Sequence, residues 1–199
     1  MKDTFSKNRV ESFSDGIFAI IITLLVLEIK VPHIVEGHSA SELLHALAGL
    51  VPKFMGWIIS FFTIAVIWVN HHKIFAQLKR LDNGIFWWNA FLLLWCTFIP
   101  FPTAVLGDYP HNQTAIVLHG TVMALMAASF TMLRIYAMRN NVLEDTVNIE
   151  IFRKGTILSL VFGPLMYVFG ILLGLIHAYL AFAVYLAIPV YFIFSQKKK

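Results

Sequence analysis

Apolar positions in this chain fall in long runs separated by short polar stretches. Phe54–Val69, Gly84–Leu106 and Thr114–Leu133 carry no charge and are bounded by polar residues. From Gly155 through Gln196 runs a further stretch of 42 uncharged residues. A bilayer core takes about 20 mostly apolar residues per helix, so that stretch predicts two spans, broken at the small and polar turn Gly174–His177. The first run, Ile17–Leu27, has 11 residues and becomes a span over Phe13–Val31 only by taking in Ser14, Asp15, Glu28 and Lys30. The pattern predicts one domain over residues 1–199 with six membrane helices, at about 5–31, 52–73, 84–106, 114–138, 155–174 and 177–195. In SASELLHALAGL, leucines 43, 44, 47 and 50 recur at helical spacing. This predicts a short amphipathic helix over about 39–50, lying at the outer surface.

Composition agrees with that reading and narrows the function. The chain is 59% hydrophobic and 13% charged, with a mean hydropathy of +0.76. Soluble domains carry about 45–50% apolar and about 25% charged residues. The fold class is therefore an all-α membrane protein; a soluble enzyme, a disordered chain and a nucleic-acid-binding domain are excluded. The single cysteine, Cys96, permits no intrachain disulfide. The net charge of +4 matters less than its placement. With the N-terminus inside, Lys2, Lys7, Arg9, Lys73, Lys79, Arg80, Arg134, Arg139, Arg153, Lys154 and Lys197–Lys199 share the inner side, and only Lys30 and Lys53 lie outside. Thirteen against two predicts cytoplasmic termini in a multi-pass protein of the cell membrane. No small-residue cleavage pattern follows the first apolar run, so no cleavable leader is expected.

The first helix carries the functional argument. At about 100° per residue, Phe13, Ile17, Ile20, Leu24, Leu27 and Val31 form one narrow stripe, with Thr23 on its border. Ser14, Asp15 and Glu28 lie off it. Ionisable groups at membrane depth almost always face protein or water, which predicts a central helix whose polar residues turn toward its neighbours. Periodicity alone leaves two readings of the stripe open: a special surface, or an ordinary face against lipid or core.

Arg9-x-x-x-Phe13-Ser14-Asp15, followed by Gly16 and IFAIIITLLVLEI, resembles the signature of the endo-lysosomal potassium channel family known as transmembrane protein 175. Supporting matches are Trp68-Val69-Asn70-His71-His72 at the inner end of helix two, and Asn89 with Pro100-Phe101-Pro102 on helix three. The resemblance is to the prokaryotic members, which carry one six-helix repeat. It implies a homotetramer whose four first helices line a central pore, with the family's aliphatic constriction falling at Ile20 and with Leu24 and Leu27 one and two turns outward. It implies a potassium channel that lacks a TVGYG carbonyl filter. Selectivity for potassium over sodium would then be modest, since the cation sheds water at a hydrophobic ring. Thr23 has two readings: a hydroxyl beside the constriction, or a bond back to a carbonyl one turn earlier. The implied partners are further copies of the chain, the bilayer and potassium ions; no cofactor and no metal are expected.

Asp15 and Ser14 are expected to bond across to helices two and three, with Trp68, His71 and Asn89 as candidate donors, setting the rotation of helix one. Arg9 lies about 120° from Asp15 on a helix, so a direct pair between them is not expected. Adjacent His71 and His72 diverge by about 100° and make a poor chelate. His33, His38, His45 and His111 read as solvated, and His119 as a bonded interhelical residue. Gly170-x-x-x-Gly174 reads as a packing motif. No nucleophile with a base nearby suggests an enzyme. A proton-leak pathway and a secondary transporter remain as alternatives to the channel.

Overall fold

The computed structural model describes residues 6–33 and 39–195, the last by its backbone alone. Lys2, His38 and Lys197–Lys199, used in the charge and histidine readings, lie outside the described residues. The described chain is nearly all helical: α1 (Lys7–Leu27), α2 (Ala40–Ala48), α3 (Val51–Ala76), α4 (Asn83–Phe98), α5 (Pro100–Asp108), α6 (Gln113–Arg139), α7 (Ile149–Leu160), α8 (Met166–Gly174) and α9 (Ala178–Ser195). α4 and α5 run on as one apolar element, Asn83–Asp108, and α7 and α8 as another, Ile149–Gly174. With α1, α3 and α6 these make five elements long and apolar enough to cross a membrane, and Ala178–Phe194 is a shorter apolar helix. The protein is an all-helical, multi-pass membrane bundle.

Several boundaries differ from the sequence pattern for local reasons. α1 stops at Leu27 rather than reaching residue 31. The fifth span starts at Ile149 rather than Gly155, because the Asn148 side chain accepts from the amides of Glu150 and Ile151 and caps it. Helix caps of this kind satisfy orphan amides and stabilise by about 1 kcal/mol. Pro100 lacks an amide, so the third span divides at Ile99 although Ile99 keeps helical angles. Pro164 has a larger effect: Val161–Leu165 widens into a π turn, and Gly163 leaves helical geometry at φ −100, ψ −107. A Cβ on Gly163 would fall 3.1 Å from the Ala127 side chain of α6.

α8 comes close to its neighbours because of the two spaced glycines. A Cβ on Gly170 would strike the Tyr185 ring of α9, and one on Gly174 would strike Ile116 of α6. Lipid tails are as apolar as leucine, so such close packing takes over from water exclusion as the force between helices. Tyr185 completes the contact by donating from its hydroxyl to the Ile116 carbonyl.

At one end of the bundle two connections pair as a short bridge. The Lys79 amide donates to the Val142 carbonyl at 2.9 Å, and the Glu144 amide to the Gln77 carbonyl at 2.8 Å. The Lys79 ammonium also meets Asp145 at 3.0 Å. This end carries Lys73, Lys79, Arg80, Arg134 and Arg139 and is called the basic end below. At the opposite end Lys53 of α3 pairs with Asp108 of α5. α2 sits on the surface with Leu43, Leu44 and Leu47 exposed and none of its residues buried, its first turn capped by Ser39.

Candidate functional site

α1 has two distinct long faces. Val10, Ser14, Phe18, Ile21 and Leu25 are buried against α3 and α4. On the other side Phe13, Ile20, Leu24 and Leu27 are exposed, at 63, 59, 44 and 67%. Ile17, within the same stripe, is half-buried at its edge, and Val31 lies beyond the end of the helix. Thr23 is exposed, and its hydroxyl donates back to the carbonyls of Ile20 at 2.8 Å and Ala19 at 3.2 Å. The local reading of Thr23 describes its hydroxyl in the single chain. From Gly16 to Leu27 the helix carries no charge.

What fixes the rotation of α1 is a polar zip. The Trp68 indole N–H donates to Asp15 Oδ1 at 2.9 Å. One turn nearer the basic end, His72 Nδ1 lies 3.2 Å from Glu11 Oε1. Glu11 and Asp15 are four apart, as are Trp68 and His72, so two antiparallel helices meet rung by rung. Deeper in, the Asn89 amide of α4 donates to Ser14 Oγ at 2.9 Å, and Ser14 donates to the Val10 carbonyl at 2.8 Å. His71 Nε2 stands 2.8 Å from Asn89 Oδ1. An amide oxygen only accepts, so the His71 proton is assigned to Nε2. The ring is clamped by Phe75, stacked at 4.1 Å, and by the edge of Phe18 at 5.4 Å.

The expected donors are thus arranged more specifically than the sequence suggested. Trp68 serves Asp15, Asn89 serves Ser14, and His71 reaches the motif only through Asn89. Arg9 is exposed, and its side chain forms no hydrogen bond or ion pair with any other described residue. Phe13 belongs to the exposed face rather than to the zip. Sequence reading missed two members. Glu11 was legible from its spacing of four from Asp15. The other, Lys7 Nζ donating to the Leu78 carbonyl at 2.7 Å, ties the start of α1 to a loop, and no periodicity signals that.

His119 is buried on α6 beside the Tyr185 ring of α9 and faces the Pro102 backbone of α5, an interhelical placement. His33, His45 and His111 are exposed. Among the described residues no three His, Cys, Asp or Glu side chains gather as a metal site.

A scan against protein families matches residues 9–100 to the endosomal/lysosomal potassium channel TMEM175. A potassium channel of Chamaesiphon minutus is 38% identical over 194 residues, covering 92% of each chain. A potassium channel of Streptomyces collinus is 33% identical, covering 94% of this chain and 92% of the other. The human endosomal/lysosomal proton channel TMEM175 is 28% identical over 65% of this chain, which spans 27% of its length. In three dimensions the chain resembles the crystal structure of a lysosomal potassium-selective channel TMEM175 homologue from Chamaesiphon minutus. The TM-score is 0.83, the identity 35%, and the coverage 95% of this chain and 97% of that one.

Proposed function

The chain belongs to the TMEM175 family of endosomal/lysosomal potassium channels, and from that premise we propose that it forms a homotetrameric, potassium-permeable pore lined by the exposed face of α1. Family and fold point to an ion channel rather than an enzyme. The observation that carries the finer reading is the division of α1 into a locked buried face and an uncharged, exposed aliphatic face. One copy of a single exposed stripe encloses nothing. Four copies around an axis make rings of Ile20, Leu24 and Leu27.

Such rings offer no carbonyl oxygens to replace a hydration shell. A cation crosses Ile20 by shedding part of its water, and potassium, which holds water less tightly than sodium, crosses at lower cost. Selectivity for potassium over sodium is then modest. The basic residues, gathered at the end where α1 begins, support an orientation with both termini cytoplasmic in the cell membrane. No cofactor enters this mechanism.

A second reading has its own support: the vertebrate relatives carry the name proton channel. Liposomes reconstituted with the purified chain, under potassium, sodium and proton gradients imposed one at a time, test both. Potassium flux above sodium flux is expected. Proton flux with no potassium flux would replace the first reading with the second, and flux of one ion strictly coupled to another would make the protein a transporter.

A further inference from the structure

Away from α1, a cleft of about 880 Å³ opens at the basic end between α3, α7 and α9. The residues lining it include Lys73 and Arg134, and no aspartate or glutamate. The nearest acids in sequence, Glu144, Asp145 and Glu150, lie outside the lining, and Asp145 is paired with Lys79.

Arg134 is the unusual group. Its Nε donates to Thr156 Oγ1 at 3.1 Å and its Nη2 to the Phe152 carbonyl at 3.1 Å, while the guanidinium carbon sits 4.4 Å over the Phe152 ring. These contacts fix the plane of the fork and use two of its five N–H groups. No carboxylate of the described chain meets it. The space beside Nη2 is kept open by Gly155, where a Cβ would fall 2.8 Å from that nitrogen. A cation held this rigidly inside a membrane bundle calls for an anionic partner, and a planar fork suits the oxygens of a phosphate.

The rim of the cleft identifies the source of that phosphate. Ile151 and Leu158 line it and are 52 and 44% exposed, and Ile157 continues the same outer surface of α7 at 51%. The lining thus combines two basic side chains with apolar ones on the outer surface of α7. Sites of several hundred Å³ accommodate a head group, and basic pockets between membrane helices on the cytoplasmic side bind anionic lipid head groups.

We propose that the cleft between α3, α7 and α9 seats the head group of an anionic phospholipid from the adjoining leaflet, with Arg134 holding its phosphate and the acyl chains lying along Ile151 and Leu158. The proposal rests on the membrane reading of the bundle and not on which ion permeates. A binding readout therefore keeps its failure distinct from failure of the channel reading.

The test is native mass spectrometry and thermal melting of the purified full chain in detergent, with phosphatidylglycerol, phosphatidylcholine or inorganic phosphate added. Retention of phosphatidylglycerol over phosphatidylcholine, with a raised melting temperature, is expected. Arg134→Gln should weaken that retention about tenfold, the value of a charge-assisted bond. Because Arg134 also bonds within the bundle, Thr146→Glu on the exposed rim provides the second variant. It adds a negative charge without touching Arg134 and should lower retention while leaving the melting temperature of the lipid-free protein unchanged. Equal retention of the two lipids, or retention indifferent to Thr146→Glu, overturns the proposal. Equal stabilisation by inorganic phosphate overturns the lipid assignment and leaves a free-anion site.

Discussion

Ile20 and Leu25 are neighbouring aliphatic residues of one helix, yet one is 59% exposed and the other fully buried. That contrast makes Ile20 testable. Ile20→Asn places an amide in each proposed ring, wets the constriction and supplies oxygen ligands a partly dehydrated sodium ion can use. Sodium flux relative to potassium flux should rise in liposomes; an unchanged ratio and unchanged current would put the stripe against lipid. Trp68→Phe asks a different question. It keeps the ring but removes the N–H that donates to Asp15, and losing that one bond at a site open to water costs about 1 kcal/mol. The amount of assembled channel or the total flux should fall while the residual current keeps its ion preference. A changed preference with normal assembly would place Asp15 in the permeation path instead. Both residues were legible in the sequence, Ile20 from the stripe and Asp15 from the motif. Direction within the polar contacts was not legible, because which of Trp68, His71 and Asn89 meets which acceptor depends on how far α3 and α4 rotate, and rotation is a tertiary quantity.

At the scale of elements, α1 is held by hydrogen bonds as much as by packing. Phe18, Ile21 and Leu25 gain little from leaving lipid for a protein interior, since both are apolar, whereas Ser14, Asn89 and His71 have no partners in lipid. Asn89→Leu strands Ser14 from its donor and His71 Nε2 from its acceptor. At about 1–3 kcal/mol for each stranded group, the melting temperature of the purified protein should drop by several degrees. No change would mean the two groups find other partners. The packing of α8 has its own test: Gly174→Leu drives a side chain into Ile116 and Ala181, and poor yield or aggregation on size exclusion is expected, while a normal elution profile would refute close approach there. Element existence was readable from the apolar runs because lipid imposes one period on every span. Boundaries were less readable. The cap at Asn148 draws charged Glu150, Arg153 and Lys154 into α7, and a rule that ends a span at its first charge misses a helix that continues into water.

The whole molecule raises the question of copy number, since a single bundle leaves Phe13, Ile20, Leu24 and Leu27 uncovered. The cysteine inventory makes this directly measurable. Cys96 is the only cysteine of the chain and is buried, so an introduced thiol on the surface reacts alone. Leu24→Cys places that thiol on the proposed pore axis, where copies from adjacent subunits approach one another. Ile157→Cys, 51% exposed on α7, places it on the outer surface, where copies in one assembly are far apart. A short bis-maleimide should join Leu24→Cys chains into dimers on a denaturing gel and leave Ile157→Cys chains monomeric, and native mass spectrometry of the uncross-linked protein should give four times the 22.6 kDa chain. Equal cross-linking at both positions would reflect random collision in the detergent micelle. Cross-linking at position 157 alone would turn the assembly inside out, with α7 at the axis and α1 toward lipid, and the pore would have to be sought on a different face of the bundle.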